Sequence, residues 1–291
     1  MSIREKYSQI HMGVQVTITC YAEDRVDGDN ACKTAFARFA ELDDIMSDYR
    51  PSSELMRLCA RSGQGPVEIG RDLFIVLKKA QEVAELTGGA FDVTCGPLVR
   101  VWREARKDYV LPAPEVVEDA LRKSGYTNLI LDEGRSTAEL TLPGMLLDLG
   151  GIAKGYACDQ AISVLNFHGI ESAMVEAGGD IALSDPPPGK EDWTIGILGS
   201  PETLNLARCA VSTSGDFEQH LVIDGNRYSH VIDPRTGMGL VDSDQVTVVA
   251  QDAMTADSLT KVSSVLGARE SQAVLNRFGA KSIGQNVKRI G

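Results

Sequence analysis

The sequence predicts an α+β fold in which antiparallel strands and helices mix irregularly, and three patterns carry that expectation. Residues near the N-terminus alternate at the strand period, two later stretches carry hairpin signals, and helical periodicity recurs between them without the regular order of a βαβ series. No internal repeat interrupts the pattern. With 291 residues, 43% of them hydrophobic, the chain is long enough to bury an ordinary core.

Val14, Val16, Ile18 and Cys20 alternate with Gln15, Thr17 and Thr19, which predicts a strand with one buried face. After the polar turn Asp27 to Asn30, the residues Ala35, Phe39, Leu42 and Met46 recur at helical spacing, with Asp29 or Asn30 placed to cap. A second helix is expected over about 71–87, through Leu73, Leu77, Ala80 and Ala84, ending at Gly88-Gly89, where a left-handed cap is sterically cheap. Asn128 to Leu142 reads as two short strands around Glu133-Gly134. Gly150-Gly151 opens a helix that runs to about His168 and stops at Gly169. Ser184 to Glu191 holds the breaker run Pro186-Pro187-Pro188-Gly189, yet strand-like Trp193 to Leu198 resumes at once. It reads as a surface loop within a single domain over 1–291. His220 to Ile232 gives a second hairpin around Asp224-Gly225, a strong turn signal.

A formal charge of −12 argues against a broad footprint for nucleic acid or anionic lipid, since both attract clustered Lys and Arg. Any phosphate must be held locally. The apolar runs Leu73 to Leu77 and Gln245 to Ala250 fall well short of the roughly 20 residues of a membrane span, and Met1 to Gln9 is polar. No signal peptide, anchor or membrane segment is visible, which fits a cytoplasmic protein or an exported one whose leader has been removed. The six cysteines (Cys20, Cys32, Cys59, Cys95, Cys158 and Cys209) show neither a CxxC pair nor a His at zinc spacing, and they read as mostly buried thiols.

Four segments carry chemistry. In Leu147 to Ala157 the pair Gly150-Gly151 precedes a helix with Lys154 in its first turn; exposed amides and the helix dipole there favour a phosphate, while a plain turn capped by Asp148 fits the same residues. It matches neither the Walker pattern nor GxGxxG. His230 to Gly237 follows Thr213-Ser214-Gly215-Asp216, and His230 is the best general-base candidate, although a structural histidine closing a hairpin fits equally. In Ala256 to Lys261, helical spacing puts Asp257, Thr260 and Lys261 on one side of a helix whose apolar side is Leu259, Val262 and Leu266. Hard oxygens from Asp257 and Thr260 suit Mg²⁺, and the plain alternative is a helix-end carboxylate with an i,i+4 lysine partner. Gly88 to Leu98 crowds small residues around Phe91 and Asp92, a loop able to press on a flat ring or simply to connect, and Ser47-Asp48-Tyr49-Arg50 adds a second aromatic plane.

Together and in order, these segments resemble the ApbE family of FAD:protein FMN transferases. The likeness runs through His11-Met12-Gly13, Ser47 to Arg50, Ser53-Glu54-Leu55, Gly89-Ala90-Phe91-Asp92, Asp148 to Gly155, Ala177-Gly178-Gly179-Asp180, Thr213-Ser214-Gly215, His230 to Gly237 and Ala256-Asp257. The resemblance implies a single α+β domain related to the tetrahydrobiopterin-synthesis fold. It further implies that Met12, Tyr49, Ala90, Phe91 and Asp92 contact the flavin end of FAD, with Asp148 and Lys154 approaching the rest. Metal ligands would be the Gly151 carbonyl, Asp257 and Thr260. Lys261 stands where the family usually carries a Thr, and Glu176 where many relatives carry Asn. Either Thr260 suffices as ligand while Lys261 pairs with Asp257, or the Lys261 ammonium takes over part of the work of Mg²⁺.

The implied reaction is attack by a Thr or Ser hydroxyl of an acceptor protein, within a Thr-containing flavinylation motif, on the FMN-side phosphorus of FAD, releasing AMP. His230 would be the base, and Asp233 would position it or the loop. The alternatives are an FAD pyrophosphatase giving FMN and AMP, and a non-catalytic FAD-binding protein.

Overall fold

A computed structural model describes residues 2–197, 201–214, 220–223, 225–241 and 245–284. The elements run β1 (Ile3–His11), β2 (Val14–Ala22), α1 (Arg25–Met46), α2 (Glu54–Ala60), β3 (Val67–Glu68), α3 (Arg71–Thr87), α4 (Gly96–Asp108), α5 (Pro114–Arg122), β4 (Leu129–Asp132) and β5 (Thr137–Leu140). They continue with α6 (Ala153–Phe167), β6 (Ser172–Ala177), β7 (Asp180–Leu183), β8 (Trp193–Gly196), β9 (Thr203–Leu206), β10 (Ala210–Ser214), β11 (His220–Ile223), β12 (Asn226–Asp233), β13 (Met238–Val241), β14 (Val246–Ala250), α7 (Ala253–Arg277) and β15 (Lys281–Gly284).

The framework is a seven-stranded sheet in the order β1-β2-β6-β7-β10-β14-β15, antiparallel at every pairing. Helices α1, α6 and α7 pack side by side and against it, which makes the fold α+β as predicted. Their shared core includes Val16, Ile18 and Cys20 of β2, Phe39 and Leu42 of α1, Ala157 and Leu165 of α6, and Leu259 and Val262 of α7, all nearly sealed from solvent. A smaller cluster of Leu98, Trp102, Val117, Leu221 and Ile232 joins α4 and α5 to the sheet β11-β12-β13.

Local signals placed several elements. Helix α3 spans 71–87 and ends at Gly88, whose φ of 57° is the left-handed cap expected there. The two hairpins form as β4–β5 and β11–β12. Helix α6 begins at Ala153, just after the glycine pair. Four cysteines are buried and two are half-buried, all free thiols. Leu198, Gly215, Asp216 and Asp224, which the sequence reading included, lie outside the described residues, as does Met1.

Three expectations need correction. Helix α1 starts at Arg25, capped by Asp24, which accepts from the amides of Val26 and Asp27; neither Asp29 nor Asn30 caps it. The supposed turn is helical because Gly28 lies against β2, where an added Cβ would come within 3.1 Å of Ala22. Strand β2 is also buried on both faces from Val16 to Cys20, Thr19 completely, so its alternation of residue types does not mark a solvated face. The stretch Gly88 to Leu98 is not all connection: α4 begins at Gly96 with Pro97 in its first turn, a position where the missing N–H costs nothing.

Candidate functional site

Two contacts bring the glycine turn to the aromatic loop. The Asp148 amide donates to the Val93 carbonyl at 2.8 Å, and Leu146 bridges Cys95 in parallel. Gly96 permits this approach, since a Cβ there would come within 2.6 Å of the Leu146 carbonyl oxygen. As a result Phe91 lies 3.4 Å from where a Cβ on Gly151 would stand, with Lys261 on the same spot at 3.1 Å. Ala90 and Phe91 are buried, and so is Asp92, whose Oδ1 accepts from the amide and hydroxyl of Thr94 at 2.7 Å each. Burial pushes the Asp92 carboxyl up, against those hydrogen bonds. Asp92 therefore holds the loop in shape.

Asp148 does not cap α6, which has no side-chain cap. Its Oδ1 accepts from the Gly150 amide at 2.9 Å and its Oδ2 pairs with Arg103 at 3.0 Å. Arg103 also bonds Asp48 and lies over the Tyr49 ring, 4.6 Å from its centroid. Tyr49, 75% exposed, is thus an open aromatic surface fixed beside the glycine turn.

Below that turn lies a buried cluster of alternating charge. Asp257, fully buried, receives Lys261 on Oδ1 at 3.0 Å and faces Lys154 on Oδ2 at 3.5 Å, with the Gly155 amide at 3.4 Å. Lys154 also reaches Asp180 at 3.2 Å and the Gly150 carbonyl at 3.0 Å, and Asp180 accepts from Ser212 at 2.6 Å. Lys261 further donates to the Thr260 hydroxyl at 3.1 Å, while that hydroxyl donates to the Asp257 carbonyl at 2.7 Å. Burial alone would push the Asp257 carboxyl up, but Lys154 and Lys261 outweigh it and hold it below the usual range. Burial and neighbouring Asp257 push Asp180 up, and the two carboxylates hold the Lys154 ammonium above its ordinary pKa against its own burial.

Other predicted residues lie on neighbouring elements. Met12 and Gly13, both at positive φ, make the two-residue β1–β2 turn; Val14 just beyond it packs on Gly178, at the turn leading to Asp180. His230 lies on β12, within a register shift between Tyr228 and Ile232, and β12 packs against α7. Asp233 binds Arg235 through both carboxylate oxygens, each at 2.9 Å, and the Arg235 stem lies over Gly89. The partners described for Asp233 thus serve the loop. Asp180, Arg103 and Ser212 were not assigned roles from sequence; Asp180 follows Gly178-Gly179, and a carboxylate directly after a tight glycine turn was the available signal. A cleft of about 720 Å³ bordered by Asp159, Asp185 and Met254 contains none of the predicted site residues.

Fold and site define an antiparallel α+β protein whose glycine-opened helix carries a paired lysine–aspartate centre under an aromatic loop. The chain belongs to the ApbE family, whose family model matches residues 12–283. Among curated relatives it is 34% identical to an FAD:protein FMN transferase of Vibrio cholerae, over 90% of this chain and 81% of that protein. It is 32% identical to one of Treponema pallidum, over 85% and 74%. Of solved structures, an ApbE protein from Thermotoga maritima superposes with a TM-score of 0.88 at 30% identity, covering 96% of this chain and 93% of that one. The flavin transferase ApbE from Vibrio cholerae gives 0.85 at 31%, covering 97% and 93%.

Proposed function

We propose that this chain is an FAD:protein FMN transferase acting, as one domain over 1–291, on a Thr or Ser hydroxyl of an acceptor protein. The observation that carries the reading is the Lys154–Asp257–Lys261 centre beside the Gly150-Gly151 turn, where two ammonium groups suit a pyrophosphate. Relatives named as FAD:protein FMN transferases support the substrate. Met12, Tyr49, Ala90 and Phe91 then face the flavin end, Asp92 shapes their loop, and Asp148 and Lys154 orient the phosphate end.

In the reaction the acceptor hydroxyl oxygen bonds to the FMN-side phosphorus. The bond from that phosphorus to the bridging oxygen breaks, and AMP leaves with the electron pair. The hydroxyl proton passes to His230, a base contribution of roughly 10²–10⁴-fold. Asp233 keeps the His230 loop in place through Arg235. Fixed ammonium groups stabilise the charge that grows on the phosphate and on the leaving oxygen.

Mg²⁺ on the Gly151 carbonyl, Asp257 and Thr260 fits this donor set poorly. Both Asp257 oxygens already face ammonium groups, and the Thr260 hydroxyl accepts from Lys261. At an effective dielectric of about 20, one ammonium about 4 Å away opposes a dication by roughly 8 kcal/mol, which offsets the attraction of one carboxylate at the same distance.

The test incubates the chain with FAD and a peptide carrying a Thr-containing flavinylation sequence. Mass spectrometry should find the peptide heavier by one FMN, with matching AMP by chromatography. AMP and FMN with an unmodified peptide would replace transfer by FAD hydrolysis, and intact FAD would leave a binding protein.

A further inference from the structure

We infer that the Lys261 ammonium is this chain's permanent catalytic cation and that transfer proceeds without a divalent metal, an inference that rests on the transferase reading. Lys261 is not a loose surface lysine. Its stem crosses the face of Gly151, where a Cβ would meet Lys261 Cγ at 3.1 Å, so glycine is what lets the side chain pass between the turn and α7. Its nitrogen ends 3.0 Å from Asp257 Oδ1 and 3.1 Å from Thr260 Oγ1, among the oxygens a metal would need. Among the described residues these take two of its three N–H donors, leaving a third for a phosphate oxygen.

Charge points the same way. Lys154 and Lys261 already balance Asp180 and Asp257 in a cluster where Asp257 is fully buried, so the carboxylates that would draw in a dication are neutralised before the pyrophosphate arrives. Replacing Lys261 by Thr removes one positive charge, frees Asp257 Oδ1 and supplies a hydroxyl, which together make a cation site. The substitution should therefore convert a metal-free enzyme into a metal-dependent one.

The experiment combines turnover with a binding readout that does not need activity. Wild-type protein with FAD bound is titrated with Mn²⁺ and followed by electron paramagnetic resonance, beside Lys261→Thr. AMP release and peptide mass gain are measured in EDTA and in Mg²⁺. Wild type should leave Mn²⁺ free and transfer FMN at the same rate in EDTA and in Mg²⁺. Lys261→Thr should take up Mn²⁺ and transfer only with metal. Lys261→Met, which keeps the packing against Gly151, should lose about 10²–10³-fold in rate, with no recovery in Mg²⁺. Stoichiometric Mn²⁺ uptake by wild type, or wild-type transfer that stops in EDTA and returns with Mg²⁺, overturns the inference. Should wild type turn over under neither condition, the transferase reading fails, and the Mn²⁺ titration still decides the metal question.

Discussion

His230 and Asp257 stand for the two kinds of residue at this centre, one expected to move a proton and one to hold charge. His230→Ala should leave FAD affinity unchanged, measured by quenching of flavin fluorescence, while lowering transfer by roughly 10²–10⁴-fold. Equal losses of affinity and rate would remove the base assignment. Asp257→Asn removes the carboxylate that two half-buried ammonium groups share, leaving Lys154 with Asp180 and Lys261 with the Thr260 hydroxyl; breaking a fully buried pair typically costs about 3–5 kcal/mol, and the partial exposure of both lysines sets the expectation below that. Urea unfolding should show a midpoint shifted down by a corresponding amount; an unchanged midpoint would mean that the cluster adds nothing to stability. Asp159, on α6, tests the electrostatics elsewhere. It accepts from the Ala253 and Met254 amides at 2.8 and 2.9 Å, yet burial, with Asp252 and Asp180 adding, pushes its pKa from 3.8 to about 7. A carboxyl raised in the folded state contributes stability that is full below pH 3.8 and is lost as pH rises towards 7. The stability of wild type relative to Asp159→Asn should therefore fall across that window and level off above it.

At the scale of elements, the crossing of α6 and α7 sets the geometry of the centre. A Cβ on Gly155 would collide with the Ala253 carbonyl, so the two helices approach through a position where only hydrogen fits. An interior helical Gly→Ala change ordinarily stabilises by about 1 kcal/mol through propensity. Here Gly155→Ala should instead destabilise by about 1–3 kcal/mol through overpacking, read as a lowered thermal midpoint. A raised midpoint would show that the helices are not held so closely. The reading of elements from sequence succeeded where the signal is local, as at Gly88 ending α3 and at the β4–β5 turn. It failed where packing overrode the local signal: Gly28 reads as a turn residue, yet it sits inside α1 because β2 lies against it. Thr17 and Thr19 read as a wet face, although the folded chain buries both.

Across the whole molecule, the main core draws on residues from Val16 to Ala280, which makes a single cooperative unit the expectation for a domain over 1–291. The two tryptophans report on it from outside that core, Trp102 in the α4–α5 cluster and Trp193 on β8 of the β8–β9 hairpin. Unfolding followed by tryptophan fluorescence and by far-ultraviolet circular dichroism should coincide. Separate transitions would divide the chain into more than one unit. By itself the sequence determined the α+β class, the β4–β5 and β11–β12 hairpins, the glycine-opened helix and the order of motifs that marks the family, because turns, caps and periodicity depend on residues close along the chain. Only the tertiary structure decided that Asp180 from β7, Lys154 from α6 and Asp257 with Lys261 from α7 form one buried centre. The i,i+4 spacing of Asp257 and Lys261 reads equally well as a solvated surface pair; what makes it a site is burial, and burial depends on which distant segments fold over it.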